Sequence, residues 1–208
     1  MFAPGEGGRI VVLGAVLLGV ALLGVAFGDA LSPVVFGLLI VGAGIWVFTA
    51  WFYRDPERSV GEGIVSPADG KIAHVDEEGG RLRIAVFMNV TDVHVNRFPL
   101  DAHVLAVSQG GEGFRPAYRP EASHNVRREY RLQTAIGEVL LVQITGILAR
   151  RLVSFVRPED ERRKGERLGM IVMGSRVELY LPADRAEPVV RVGERVRAGS
   201  TPIARIRS

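Results

Sequence analysis

Cysteine is absent from the 208-residue chain. Disulfides, thiolate catalysis and cysteine-held metals are thereby excluded, and the redox compartment stays open. Lysine is almost absent too, with only Lys71 and Lys164 present. Nearly all positive charge is therefore arginine, whose planar fork grips phosphate and carboxylate oxygens in pairs. Charge of either sign is scarce before residue 54, where Glu6, Arg9 and Asp29 are the only carriers. Long helical periodicity is what residues 54–208 lack, since no pattern there supports a helix of more than two turns. No two histidines have ligand spacing with a carboxylate in a metal motif, so no metal site is expected.

The charge-poor end contains two uncharged runs, Ile10 to Phe27 and Ala30 to Tyr53. A crossing of the hydrocarbon core takes roughly 20 residues, and backbone in lipid must be bonded internally, so a helical hairpin turning at Gly-Asp-Ala-Leu-Ser-Pro is expected over residues 1–53. A single span is the alternative. A signal peptide fits less well, because no small-x-small cleavage site follows the first run. Neither run shows the polar stripe of a soluble or interfacial helix. Arg9, Arg54 and Arg58 flank the hairpin while its loop has only Asp29. The positive-inside tendency then puts the protein in the cell membrane with residues 54–208 on the cytoplasmic side. Trp46, Trp51, Phe52 and Tyr53 form an aromatic anchor at that boundary.

Residues 54–208 hold 25 basic and 21 acidic side chains, a balance suited to an anionic membrane surface. No basic helix stripe or finger spacing is present, so nucleic acid is not an expected partner. Strand patterns occur at Ile64-Val65, Lys71–Val75, Leu82–Phe87, Val93–Val95, Ala102–Val107, Tyr130–Ile136, Glu138–Ile144, Leu148–Val156, Met170–Met173 and Val177–Leu181, separated by turn residues. Glu77-Glu78-Gly79-Gly80 reads as a turn, Gly110 to Asn125 as a loop, and Pro158 to Arg167 as an exposed connection. The expected fold class is mainly β: one antiparallel β domain, residues 54–208, behind the membrane anchor.

Four segments carry the chemistry: Ser66-Pro67-Ala68-Asp69-Gly70, Asp92-Val93-His94-Val95-Asn96-Arg97-Phe98-Pro99, Gln143-Ile144-Thr145-Gly146, and Gly174-Ser175 within Gly169–Val177. In this order they resemble the short-form phosphatidylserine decarboxylase proenzymes of bacteria and archaea over about residues 54–208. The tail Val192–Gly199, with Ser66–Ile72, also resembles the halves of a biotinyl or lipoyl carrier. Lys71 lacks the Met-Lys setting of a carrier, so that likeness bears on fold alone, as a sandwich-like core.

The resemblance implies self-cleavage between Gly174 and Ser175, with Ser175 becoming a covalent pyruvoyl cofactor and the two resulting pieces staying associated. Loss of CO2 from an amino acid leaves electrons on the α carbon that no ordinary side chain accepts, and such a carbonyl accepts them. The expected substrate is phosphatidylserine, giving phosphatidylethanolamine. A serine phospholipid with ether-linked chains is the alternative substrate, and a non-catalytic membrane-tethered β module is the alternative of another class. A homo-oligomer is compatible with the sequence.

By the same resemblance Asp69 orients His94, and His94 takes the proton of the Ser175 hydroxyl, a triad turned on its own chain. His94 then serves the decarboxylation as proton donor. Asn96, Arg97, Asn125, Arg127, Thr145, Arg150 and Arg151 are the candidates for substrate binding, the arginines at the phosphate. The chain departs from the family pattern at Arg97, where other branches have a second histidine, at Val126, at Thr145, and at Val172-Met173.

Overall fold

In the computed structural model of the chain, residues 2–26, 33–113, 124–146, 151–172 and 175–207 are described. The chain divides into two compact units, residues 1–57 and 58–208.

The first unit contains α1 (Gly7–Ala26) and α2 (Pro33–Phe52). The helices pack through small residues. A Cβ on Gly14 would meet the Trp46 ring at 2.8 Å, and one on Gly42 would meet Leu17 at 2.8 Å. Trp46 Nε1 donates to the Ile10 carbonyl at 2.8 Å, satisfying the indole as burial requires. Apolar side chains such as Val11, Leu18, Leu38 and Ile45 are each more than half exposed. Among the described residues no helix is long and apolar enough to cross a membrane. Side chains are described over 7–21 of α1 and 36–52 of α2, stretches short of the roughly 20 residues a crossing takes. The spanning hairpin expected from the sequence therefore finds no support in the described helices.

The second unit is built from antiparallel strands: β1 (Ile64–Val65), β2 (Gly70–Glu78), β3 (Arg81–Met88), β4 (Val95–Arg97), β5 (Ala102–Gly110), β6 (Arg127–Thr134), β7 (Gly137–Thr145), β8 (Arg151–Ser154), β9 (Glu161–Arg162), β10 (Arg167–Val172), β11 (Ser175–Pro182), β12 (Ala186–Pro188), β13 (Arg195–Val196) and β14 (Pro202–Ile206). An eight-stranded sheet has the order β13-β2-β3-β11-β7-β6-β5-β9, and two three-stranded sheets have the orders β4-β10-β8 and β1-β14-β12. The mainly β, antiparallel class expected from the sequence is the one observed.

Alternation explains which face each strand buries. Leu82, Ile84, Val86 and Met88 of β3, and Val177, Leu179 and Leu181 of β11, point into one core with Leu132, Val139 and Leu141. On the other face β11 carries Arg176, Glu178 and Tyr180. The β2–β3 hairpin closes on Gly79 and Gly80 at φ +59° and +75°, the two positive-φ positions of a tight hairpin turn. Glu77 and Glu78, expected in that turn, extend β2 instead, because the two glycines alone supply the reversal. The connection from Pro158 to Arg167 is not wholly irregular, since Glu161 and Arg162 pair with His103 and Ala102 on the sheet edge. The β4–β10–β8 sheet meets the eight-stranded sheet through polar contacts, with Arg128 Nη1 donating to the Leu152 carbonyl at 3.1 Å. The junction between these two sheets positions the site.

Candidate active site

Ser175 is the first residue of β11 and lies between two long neighbours, opposite Met88 of β3 and Thr145 of β7. Directly opposed residues share a face, so its side chain points toward the core and is fully buried. The hydroxyl donates to Met88 Sδ at 3.3 Å, a weak acceptor. Gly174, the carbonyl side of the expected cut, lies outside the described residues, as does Arg150.

His94 is also fully buried and follows a turn locked in both directions. Asn89 N donates to Asp92 Oδ2 at 2.7 Å, and Asp92 N donates to the Asn89 carbonyl at 2.9 Å. The His94 ring places Nδ1 at 2.9 Å from the Asp92 carbonyl. A carbonyl only accepts, so Nδ1 carries the hydrogen and the neutral ring has its basic lone pair on Nε2. The His94 carbonyl accepts from Ile171 N at 3.3 Å. Pairing of β4 with β10 thus sets His94 opposite Ile171, just ahead of Ser175 in the chain.

Asp69 is bound elsewhere. Arg58 grips its carboxylate with both ends of the guanidinium, Nη1 on Oδ1 and Nη2 on Oδ2 at 2.8 Å. The Ala198 amide adds a bond to Oδ1 at 2.8 Å. The hydrogen bonds of Asp69 therefore run to Arg58 and Ala198, and Nδ1 of His94 is oriented by the Asp92 main chain. Asp69 and Asp92 nonetheless line one cavity of about 470 Å³, together with Gly70, Arg195, Val196, Arg197 and Thr201. Arg58 was legible in the sequence only as a flanking charge; no local pattern announces its partner.

The remaining sequence candidates divide. Asn96 is fully buried, accepts from Gln143 Nε2 at 2.7 Å and donates to Met88 Sδ at 3.6 Å. Thr145 shares the Ser175 row, and its Oγ1 donates to the Val126 carbonyl at 2.8 Å. Asn125 donates to the Thr145 carbonyl at 2.7 Å, joining the entry of β6 to the end of β7. Arg97 turns away to donate to the Gly165 carbonyl at 2.9 Å. Arg127 stands opposite Ile144, which stands opposite Arg176. It therefore occupies the face opposite the Ser175 side chain, where it pairs with Glu129 at 2.6 Å. Arg151 is exposed on β8, opposite Val172.

Gln143, read in the sequence only as the first residue of a motif segment, and Tyr130 are buried polar residues to which sequence reasoning assigned no role. A glutamine inside Leu140-Leu141-Val142-Gln143-Ile144 is itself a signal, since a buried amide requires partners. Burial pushes the Tyr130 phenol above its ordinary range despite Ser154 and Arg128 nearby, which keeps it a donor. On the opposite face Arg83 is raised by its bond to Asp76 and by Glu178. There Tyr180 is pushed up to about 12, chiefly by burial and then by its bond to Glu178.

A family model described as phosphatidylserine decarboxylase matches residues 46–204. A Halobacterium salinarum protein named putative archaetidylserine decarboxylase proenzyme is 43% identical over 189 residues, covering 85% of this chain and 94% of its own. A phosphatidylserine decarboxylase proenzyme of Syntrophus aciditrophicus is 42% identical over 169 residues, 76% of this chain and 79% of its own. One from Streptomyces coelicolor is 43% identical over 157 residues, 74% of this chain and 72% of its own.

Proposed function

This chain belongs to the phosphatidylserine decarboxylase family, and on that premise we propose that it is a proenzyme that cuts itself between Gly174 and Ser175 and then decarboxylates a serine phospholipid. The observation that carries this reading is the placement of Ser175. It is a fully buried hydroxyl at the head of a central strand, held on both sides by β3 and β7. A cut at that point leaves residues 175–182 anchored by two ladders, so the pieces remain one domain.

In self-cleavage, Nε2 of His94 accepts the Ser175 hydroxyl proton as the oxygen bonds the Gly174 carbonyl carbon. The Gly174–Ser175 C–N bond breaks, the proton passes to the freed nitrogen, and an ester remains. Loss of the Ser175 α proton then expels the Gly174 carboxylate from Cβ. The unsaturated residue left at 175 takes up water and releases ammonia, and a pyruvoyl carbonyl remains. Its surroundings fit that group, because the buried Met88 and Thr145 flank it with neutral side chains. The carbonyl supplies the electron sink for loss of CO2. Of the chain's own groups, His94 returns a proton to the substrate α carbon. Asp69, fixed by Arg58, shapes the cavity it shares with Asp92. Asn96, Asn125 and Thr145 hold the backbone and donors around position 175. Arg151 meets the phosphate, and Arg97 and Arg150 are the further candidates for that contact. Arg127, on the far face, is the weakest candidate for that task.

The two apolar helices serve as a membrane anchor, residues 1–53, that brings residues 54–208 to an anionic bilayer on its cytoplasmic side. Two 20-residue helices of about 30 Å each, with side chains such as Val11, Leu18 and Leu38 more than half exposed, support this. The test is intact mass under denaturing conditions. Two pieces split after Gly174, the shorter about 17 Da lighter than its serine-started mass, are expected. One unsplit chain, after incubation with serine-phospholipid vesicles, would make the protein a non-catalytic module. Since one relative is named for archaetidylserine, CO2 release should be compared on ester-linked and ether-linked serine lipids.

A further inference from the structure

A hydrogen-bonded line of side chains runs from β6 to Ser175 and takes no part in those proton transfers. Tyr130 Oη donates to Gln143 Oε1 at 3.0 Å, Gln143 Nε2 to Asn96 Oδ1 at 2.7 Å, and Asn96 Nδ2 to Met88 Sδ at 3.6 Å. Ser175 Oγ donates to the same sulfur at 3.3 Å. All five side chains are fully buried or within 1% of it, so none of these bonds competes with bulk water.

An amide has the same shape either way round, so its direction must come from its partners. Here both ends of the line agree. Met88 Sδ can only accept, and Arg128, which approaches the Tyr130 phenol together with Ser154, can only donate. Reversal would set Asn96 Oδ1 against the thioether, acceptor against acceptor. The strand crossing the line makes room for it. A Cβ on Gly169 of β10 would lie 2.5 Å from the Val153 carbonyl, 3.0 Å from Tyr130 Oη and 3.2 Å from Gln143 Nε2.

We propose that Tyr130 and Gln143 are positioning residues for the conversion of Ser175, holding the Asn96 amide with its NH2 turned toward the sulfur that Ser175 shares. The thioether that accepts the Ser175 hydroxyl is then itself held by a neutral N–H donor, which fixes the sulfur and with it the oxygen that must lose its proton. The inference rests on the reading that Ser175 is self-processed.

The experiment follows splitting over time in chains made by cell-free synthesis with lipid vesicles, across pH 5.5 to 9. Gln143→Glu is the informative variant. Ionised, the introduced carboxylate cannot donate to Asn96 Oδ1, so the amide flips and sets its oxygen against the Met88 sulfur that holds Ser175; protonated, it donates and restores the direction. Tyr130 and Arg128 are the titratable groups facing it from β6, and dividing by the wild-type rate at each pH removes the contribution of His94. The expected result is splitting about tenfold slower than wild type at pH 8, with the ratio recovering toward one as pH falls. Tyr130→Phe, nearly isosteric, is expected to slow splitting several-fold without a pH-dependent ratio. It also keeps the test decisive if the glutamate variant does not fold. A flat ratio near one for Gln143→Glu, or wild-type splitting in Tyr130→Phe, overturns the proposal. Absence of splitting in the wild type overturns instead the reading beneath it.

Discussion

Arg58 and Asp69 form a fork-to-fork ion pair in which each carboxylate oxygen has its own guanidinium nitrogen, and each side chain is only 12% exposed. The Ala198 amide completes the carboxylate, and Arg58 Nη1 returns a bond to the Ala198 carbonyl at 3.1 Å. The segment before β1 is thereby tied to the turn after β13, and Asp69 itself lines the cavity it shares with Asp92.

Removing one partner of a mostly buried pair strands the other. Arg58→Ala is expected to cost about 3 kcal/mol of stability and to slow splitting. Arg58→Lys should recover only part of both, because an ammonium cannot bridge two oxygens. Denaturant midpoints for the three proteins check this, and full recovery by lysine would show that charge alone suffices.

Gly70 has no room for a side chain. Its φ is +150°, and a Cβ there would sit 2.1 Å from the Phe87 carbonyl oxygen. Gly70→Ala should cost at least about 4 kcal/mol, as strain and overpacking combine. Soluble expression and thermal midpoint are the readouts; a loss under 1 kcal/mol, on the order of an ordinary surface change, would mean that β2 relaxes freely against β3.

Self-processing should need the hydroxyl and the base separately. Ser175→Ala is expected to remain one chain at any incubation time while keeping its thermal midpoint, since only a weak bond to sulfur is lost. His94→Gln should split roughly a hundredfold or more slowly, the usual worth of a positioned base. Rapid splitting in the glutamine variant would assign the proton transfer to another group.

The two arginine faces predict different kinetics. Arg151→Ala should raise KM for lipid vesicles several-fold with kcat nearly unchanged, the signature of lost ground-state binding. Arg127→Ala, on the face opposite Ser175, should leave both values within about twofold. Interchanged effects would place the phosphate on the other side of the sheet.

Tyr180 gives the fold an alkaline limb. Its phenol is pushed up to about 12 from its ordinary 10.0, chiefly by burial. A folded pKa above the unfolded one means that the folded state holds its proton longer. The stabilisation is complete below about pH 10 and is lost as pH rises toward about 12. Tyr180→Phe should lose roughly 1 kcal/mol at neutral pH, for the 2.6 Å bond to Glu178, and fall less steeply between pH 10 and 12. Parallel alkaline profiles for the two proteins would assign the limb to other groups.

Much of the strand pattern was legible because its causes are local. The pleat forces side chains to alternate, so Leu82, Ile84 and Val86 announce a half-buried strand wherever it sits. Gly79-Gly80 announces its own turn, although not that Glu77 and Glu78 belong to the strand. The motif residues Asp69, His94 and Ser175 were legible through family likeness. Their bonds were not: the Nδ1 partner of His94 is a carbonyl only two residues away, and the partner of Asp69 is an arginine outside every motif.

By itself the sequence determined a mainly antiparallel β unit, an apolar amino-terminal segment, the family, and the residue types available for self-cleavage. Only the tertiary structure decided that Ser175 enters a strand between Met88 and Thr145, that Arg127 faces away from it, that Arg58 holds Asp69, and that Tyr130 is bonded to Gln143 and Gln143 to Asn96. The physical reason is the range of the interactions. Alternation and turn geometry depend on neighbours in the chain, whereas facing, pairing and burial depend on which distant strands lie side by side, and β3, β7 and β11 meet across long stretches of sequence.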